Sequence, residues 1–147
     1  MAVIARLGRA AALSDQALEE FFAAHGLTRA HWDVLASLRR AGRPYRLSPT
    51  ELYRGLMRTS GTMTHRLTQL QQADLVRRIP DPHDGRGLLV ELTPKGKRLV
   101  DRLAPAHLDS ERETLTGLTP AEQDQLAALL RKLLSHLEQP DQQRGPR

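Results

Sequence analysis

The sequence contains no cysteine among its 147 residues. Disulfides, thiolate metal sites and thiol redox chemistry are therefore excluded. Aromatic residues are scarce, with two Phe, two Tyr and one Trp, too few for the stacked-base platforms that hold single-stranded nucleic acid. No uninterrupted apolar run reaches the roughly 18 residues of a membrane-spanning helix. The N-terminal run AVIARLGRAAALS is broken by Arg6 and Arg9 and does not read as a signal peptide, so a cytoplasmic location with no membrane partner is expected. The six histidines never fall three or four apart on one predicted helix, so no metal site is expected. No nucleophile–base pair, phosphate loop or pair of carboxylates stands out, so neither an enzyme nor a cofactor is expected.

What is present is positive charge, unevenly placed. The chain carries a formal +5. Residues 39–102 hold 14 Lys+Arg against 6 Asp+Glu, a net +8, while residues 1–38 and 103–147 come to −1 and −2. A concentration of this kind points to a polyanionic partner for the central segment.

The pattern is mainly helical. Residues 2–23 place Ile4, Leu7, Ala11, Leu18, Phe21 and Phe22 at helical spacing, and Gly26 ends that helix. Thr28 caps a second helix with Trp32, Leu35 and Leu38 on its apolar face, closed by Gly42. Residues 45–47 are short enough to be a small strand. Ser48-Pro49-Thr50-Glu51 is a capping box with proline in the first turn, starting a helix that runs to about Met57. The next helix spans about 59–74. Residues 75–79 read as a strand, residues 80–87 as a turn-rich loop and residues 88–92 as a return strand, giving a hairpin with a long tip. Thr93-Pro94 starts a long helix that Pro105 should kink or break. Thr119-Pro120-Ala121-Glu122 starts the last helix, whose stripe of Leu126, Leu129, Leu130, Leu133, Leu134 and Leu137 is too wide for a lone surface helix. Residues 139–147 are expected to be a disordered tail.

Helix, turn, helix, then a two-stranded hairpin is the order of a winged helix-turn-helix. In the second helix Met63, Leu67 and Leu70 share the core face. The opposite face holds Gly61, His65 and Gln72, flanked by Thr62, Thr64, Thr68 and Gln69, with neither Glu nor Lys between 61 and 72. Small hydroxyls, an amide and an imidazole can approach base edges closely and hydrogen-bond to them. Arg86 lies between Gly85 and Gly87 at the hairpin tip, where an arginine suits the narrow minor groove. Asp84 is positioned to orient that guanidinium. Arg54, Arg58, Arg66, Arg77, Arg78 and Lys95 are candidates for phosphate contacts, which set register rather than sequence preference.

The chain resembles the MarR family of bacterial transcription regulators over nearly its whole length. The resemblance rests on Leu47-Ser48-Pro49-Thr50-Glu51-Leu52, on Thr59-Ser60-Gly61-Thr62-Met63-Thr64, and on Asp84-x-Arg86 followed by Val90-x-Leu92-Thr93-Pro94-x-Gly96. It implies a mainly α fold with a small β-hairpin wing, a DNA-reading helix at residues 59–74 carrying Ser60, and a wing arginine at Arg86. It also implies a homodimer in which residues 1–25 and 94–138 form a helical dimerisation region around a DNA-binding region at residues 26–93. The implied partners are double-stranded DNA with a pseudo-palindromic operator and a small aromatic or phenolic effector that releases a repressor. The effector would lie in a cleft to which Trp32 and His25 are candidate contributors, although a core role suits Trp32 better. Three positions depart from the family's pattern: His65 replaces a common arginine, Thr68 a common aspartate, and Asp74 the glycine that ends the reading helix. A sequence-neutral architectural DNA binder is the alternative function.

Overall fold

The computed structural model describes residues 2–56 and 60–138, with the side chains of all but Ser60 and Gly61 among them. Its elements in chain order are α1 (Ala2–Ala23), α2 (Arg29–Arg40), β1 (Arg46–Leu47), α3 (Pro49–Leu56), α4 (Ser60–Gln72), β2 (Val76–Asp81), β3 (Asp84–Leu92), α5 (Pro94–Thr114) and α6 (Pro120–Leu137). Among the described residues, six helices and a three-stranded antiparallel sheet of order β1-β3-β2 make a winged helix-turn-helix fold. The chain divides into two compact units, residues 1–110 and 111–147. No helix among the described residues is long and apolar enough to cross a membrane.

The caps anticipated from sequence form as local chemistry dictates. Thr28 accepts the amide of His31, and its own amide donates to Nδ1 of that histidine. Ser48 and Glu51 exchange the two bonds of a capping box, at 3.1 and 2.7 Å, and Thr119 with Glu122 repeats it. Each pair satisfies helix-end amides that water would otherwise have to reach. Asp74 takes φ of +59°. The Leu75 amide then bonds back to the Leu70 carbonyl and the Asp74 amide to Gln71, the two bonds of a Schellman termination. Aspartate thus fills the left-handed position at which glycine is usual.

Within residues 1–110 the core gathers Phe22, Trp32, Val34, Leu35, Leu38, Leu52, Met63, Leu67, Leu70, Val76, Val90, Leu92, Val100 and Leu103. Every helix from α1 to α5 and both long strands contribute, so α4 is packed from several sides. The tightest junction is at Gly96. A Cβ there would lie 2.1 Å from the Leu75 carbonyl oxygen and 2.9 Å from Leu92 Cδ1, so only glycine lets the start of α5 approach the end of α4. Within residues 111–147, α6 buries no residue. Leu129, Leu134 and Leu137 are at least half exposed, as are Val3, Ile4 and Leu13 of α1.

Two expectations about chain path are corrected. The hairpin tip is short: β2 continues through Pro80 and Asp81, β3 resumes at Asp84, and Asp81 pairs with Asp84 after a register irregularity at Pro80/Asp81. Proline is tolerated because β2 is an edge strand, where half of the amides face away from the sheet. The break foreseen at Pro105 does not occur, since α5 is helical throughout. Buried Gly96, Val100 and Leu103 anchor the preceding turns, so the helix absorbs the loss of one hydrogen bond. The tail expected at 139–147 lies outside the described residues.

Gly96→Ala should destabilise the fold by about 3 kcal/mol through overpacking against backbone. Urea denaturation followed by circular dichroism checks this, and a midpoint within error of the parent would contradict the close approach.

Candidate nucleic-acid interface

Helix α4 is built on a buried stripe. Met63, Leu67 and Leu70 are nearly inaccessible, and their i, i+4, i+7 spacing fixes the helix's rotation about its axis. The rotation leaves Thr62, Thr64 and His65 exposed and Arg66 half-buried. Ser60 and Gly61 stand in the first turn. Arg58 lies outside the described residues.

Two residues assigned from sequence to the reading face hydrogen-bond to other residues of the protein. Gln69 Oε1 lies 3.0 Å from His31 Nε2. The Thr28 amide must be the donor to His31 Nδ1, so a neutral ring carries its proton on Nε2 and donates it to Gln69. The amide of Gln69 therefore braces α4 against α2. Thr68 donates to the Thr64 carbonyl at 3.0 Å and accepts Arg78 Nη2 at 3.4 Å. Its half-buried side chain thus links the helix backbone to the wing.

The far end of α4 is tied to α5. Lys95 Nζ donates to the Ala73 carbonyl at 2.7 Å, and Thr93 Oγ1 donates to that of Asp74 at 2.7 Å. The Gly96 amide in turn donates to Thr93 Oγ1. A cation on the last carbonyls of a helix is favoured by the dipole as well as by the hydrogen bond. Lys95, expected at a phosphate, clamps the C-terminal end of α4 in this structure, and the Leu92-Thr93-Pro94-Lys95-Gly96 run acquires a physical meaning.

At the wing, Asp81 Oδ1 accepts the His83 amide and Asp84 Oδ1 accepts the Arg86 amide. Asp84 thus holds the backbone of Arg86, where the sequence suggested the guanidinium. A side chain at Gly87 would press on Asp84 Oδ2 and Asp81 Cβ at 3.0 and 3.2 Å, so the glycine lets the tip fold over. Arg86 itself is exposed. Among the described residues no carboxylate pairs with Arg86, Arg54 or Arg66.

The adjacent arginines of β2 point to opposite faces of the sheet, as strand alternation requires. Arg78 is opposite Val90 and faces α4. With Pro49, Thr50, Tyr53, Met63, Thr64, Leu67 and Leu88 it lines an open cleft of about 390 Å³. Arg77 is opposite Glu91, and so is Arg46 of β1. Glu91 is 5% exposed and divides its oxygens between them: Oε1 accepts Arg46 Nε at 2.7 Å and Oε2 accepts Arg77 Nε. Burial pushes the Glu91 carboxyl up, and hydrogen bonds and charge from Arg77 and Arg46 more than reverse this, leaving it below the ordinary range. Glu91, Arg46 and His31 were missed in the sequence. An acid between Val90 and Leu92 in an apolar strand was the available signal for the first.

Trp32 and His25 do not share a surface. Trp32 is 6% exposed, stacked on Phe22 at 5.2 Å and edge-on to His107, which is the core role. His25 Nδ1 bonds to the Phe21 carbonyl at 2.9 Å. It lines a second cleft of about 280 Å³ with Leu27, His31, Gln69, Lys95 and Leu99.

A folded value below the ordinary one means that the Glu91 carboxylate stabilises the fold above the ordinary glutamate range. That contribution is lost as pH falls through the lowered value. The parent chain should therefore lose stability on acidification through this window faster than Glu91→Gln, read from urea midpoints at stepped pH. Parallel curves would count against the paired carboxylate.

Known proteins are similar to this chain in sequence and in fold. The MarR family model matches residues 25–87. The regulator PecS of Dickeya dadantii is 38% identical over 137 residues, covering 93% of this chain and 82% of PecS. The fold is similar to that of Sco3205, a MarR family transcriptional regulator from Streptomyces coelicolor solved in complex with DNA. The TM-score is 0.86 at 28% identity, over 95% of this chain and 88% of that one. It is also similar to BpsR of Bordetella bronchiseptica, whose DNA binding is regulated by 6-hydroxynicotinic acid, with TM-score 0.80 at 30% identity over 89% and 91% of the two chains. On the strength of its relatives and of the reading helix and wing described above, this chain belongs to the MarR family of transcriptional regulators.

Proposed function

We propose that the chain is a sequence-specific, homodimeric DNA-binding regulator, and most simply a repressor released by a small organic ligand. The observation that carries this reading is the exposed Thr62–Thr64–His65 face of α4, which contains no acidic residue and is held by a buried stripe, beside a wing whose Arg86 pairs with no carboxylate among the described residues. The similarity to a DNA-bound regulator supports it. In this reading α4 enters the major groove and reads base edges, Arg86 enters the adjacent minor groove, and Arg54, Arg58 and Arg66 meet phosphate. Arg78 can join them from the wing side of α4. Arg77, Lys95, Gln69 and Thr68 serve the scaffold.

The homodimer is supported by apolar side chains that this chain leaves uncovered on α1 and α6, among them Ile4, Leu13, Leu129 and Leu137. Exposing so many large apolar groups is unfavourable unless a second copy covers them. Residues 1–25 and 94–138 are the proposed dimerisation region, acting in the cytoplasm. The ligand response is supported by the likeness to BpsR. The cleft bounded by His25, His31 and Gln69 offers a ligand direct leverage on α4. Such a ligand must favour one disposition of the reading helices over another to have any effect.

Two substitutions test the reading on duplexes enriched from random DNA. Arg86→Ala should weaken binding by about 1–3 kcal/mol with its circular dichroism unchanged. His65→Ala should alter base preference more than non-specific affinity. Unchanged affinity for the first and equal losses on every sequence for the second would contradict the assigned roles.

A further inference from the structure

The central strand of the wing carries an acid that a DNA-binding surface does not obviously need. Glu91 lies next to the C-terminal end of β3, and cross-strand register places Arg46 and Arg77 directly opposite it on the two flanking strands. The three side chains form one row across the back of the sheet, on the face away from Val90 and Leu47. Each carboxylate oxygen takes one guanidinium through Nε. Glu91 is almost wholly buried, whereas the Arg77 side chain is 60% exposed and that of Arg46 34%. Solvent can therefore reach the arginines more readily than the acid that holds them.

An exposed arginine pair with no acid would behave as two mobile phosphate ligands. Phosphate contacts add affinity to every sequence alike. A carboxylate that holds both guanidiniums makes the competing state costly, because an arginine that left for phosphate would give up a charge-assisted hydrogen bond and leave Glu91 with half of its pairing. We propose that Glu91 is a specificity-determining positioning residue: by holding Arg46 and Arg77 on the back of the sheet it keeps two cations off the DNA backbone and leaves Arg86 as the wing's contact. The proposal rests on the reading that this chain binds an operator.

The test is binding of the full-length chain and of Glu91→Gln to an enriched duplex and a scrambled one, each across a salt series by fluorescence anisotropy. Glutamine keeps the shape and removes the charge that retains the arginines. Non-specific affinity at low salt should rise about three- to tenfold, with the log–log salt slope steeper by about 0.9 for each arginine that reaches phosphate. The ratio of specific to non-specific affinity should fall. A folded variant with unchanged slope and ratio would make Glu91 a stability element only and overturn the proposal.

Arg77→Ala reads the same claim in the opposite direction, with Arg46 still pairing Glu91, and does not depend on Glu91→Gln folding. Its slope should match the parent's. A slope shallower by about 0.9 would place Arg77 on phosphate and refute the clamp. A parent chain that fails to distinguish the two duplexes would sink the regulator reading itself, an outcome separate from a discriminating parent with an unresponsive variant.

Discussion

The buried stripe of Met63, Leu67 and Leu70 is the constraint on which the rest of the molecule depends. Burying three such side chains contributes roughly 6 kcal/mol before the entropy of ordering them is charged. It also fixes one rotational setting of α4, since a helix turned by a third of a revolution would expose all three. The polar face is thus a consequence of core packing. His31 bracing Gln69, Thr93 and Lys95 holding the last carbonyls, and Gly96 admitting α5 against Leu75 all act at the C-terminal half of the same helix. These contacts limit sliding and tilting where the stripe alone limits only rotation.

Charge is sorted as carefully as apolar surface. The central segment is strongly basic, yet much of that charge is engaged. Glu91 takes Arg46 and Arg77, and Asp101 takes Lys97 and Arg39. Bonds from Lys97 and Arg39 hold the Asp101 carboxyl below its ordinary range. Strand alternation does the same sorting over a shorter distance, sending Arg77 to the back of the sheet and Arg78 toward α4. A basic segment can therefore withhold some of its cations in ion pairs while presenting others.

Much of this was legible in the sequence, and for physical reasons. Helix starts are local, so Thr28, Ser48 and Thr119 could be recognised from a few neighbours, and the three-and-four spacing of α4 gave its buried face directly. Asp74 was legible because few residues besides glycine tolerate its backbone conformation. Contacts between distant segments were not. Nothing near Gln69 in sequence announces His31, 38 positions away, and Lys95 looks like a phosphate ligand until the end of α4 is placed beside it. The hairpin tip was misjudged because Pro80 suggests a loop, whereas an edge strand accepts it. Asp84 was matched to the wrong donor: its carboxylate is two residues from Arg86 and meets the backbone amide before the guanidinium.

The proposed function requires two identical reading heads held at a fixed spacing. Hydroxyl-radical footprinting of the full-length chain on a duplex enriched from random DNA tests this most directly. Two protected half-sites, related by two-fold symmetry and centred about one helical turn (roughly 10 bp) apart, are predicted. A single unpaired footprint, or uniform protection with no sequence enriched, would contradict it.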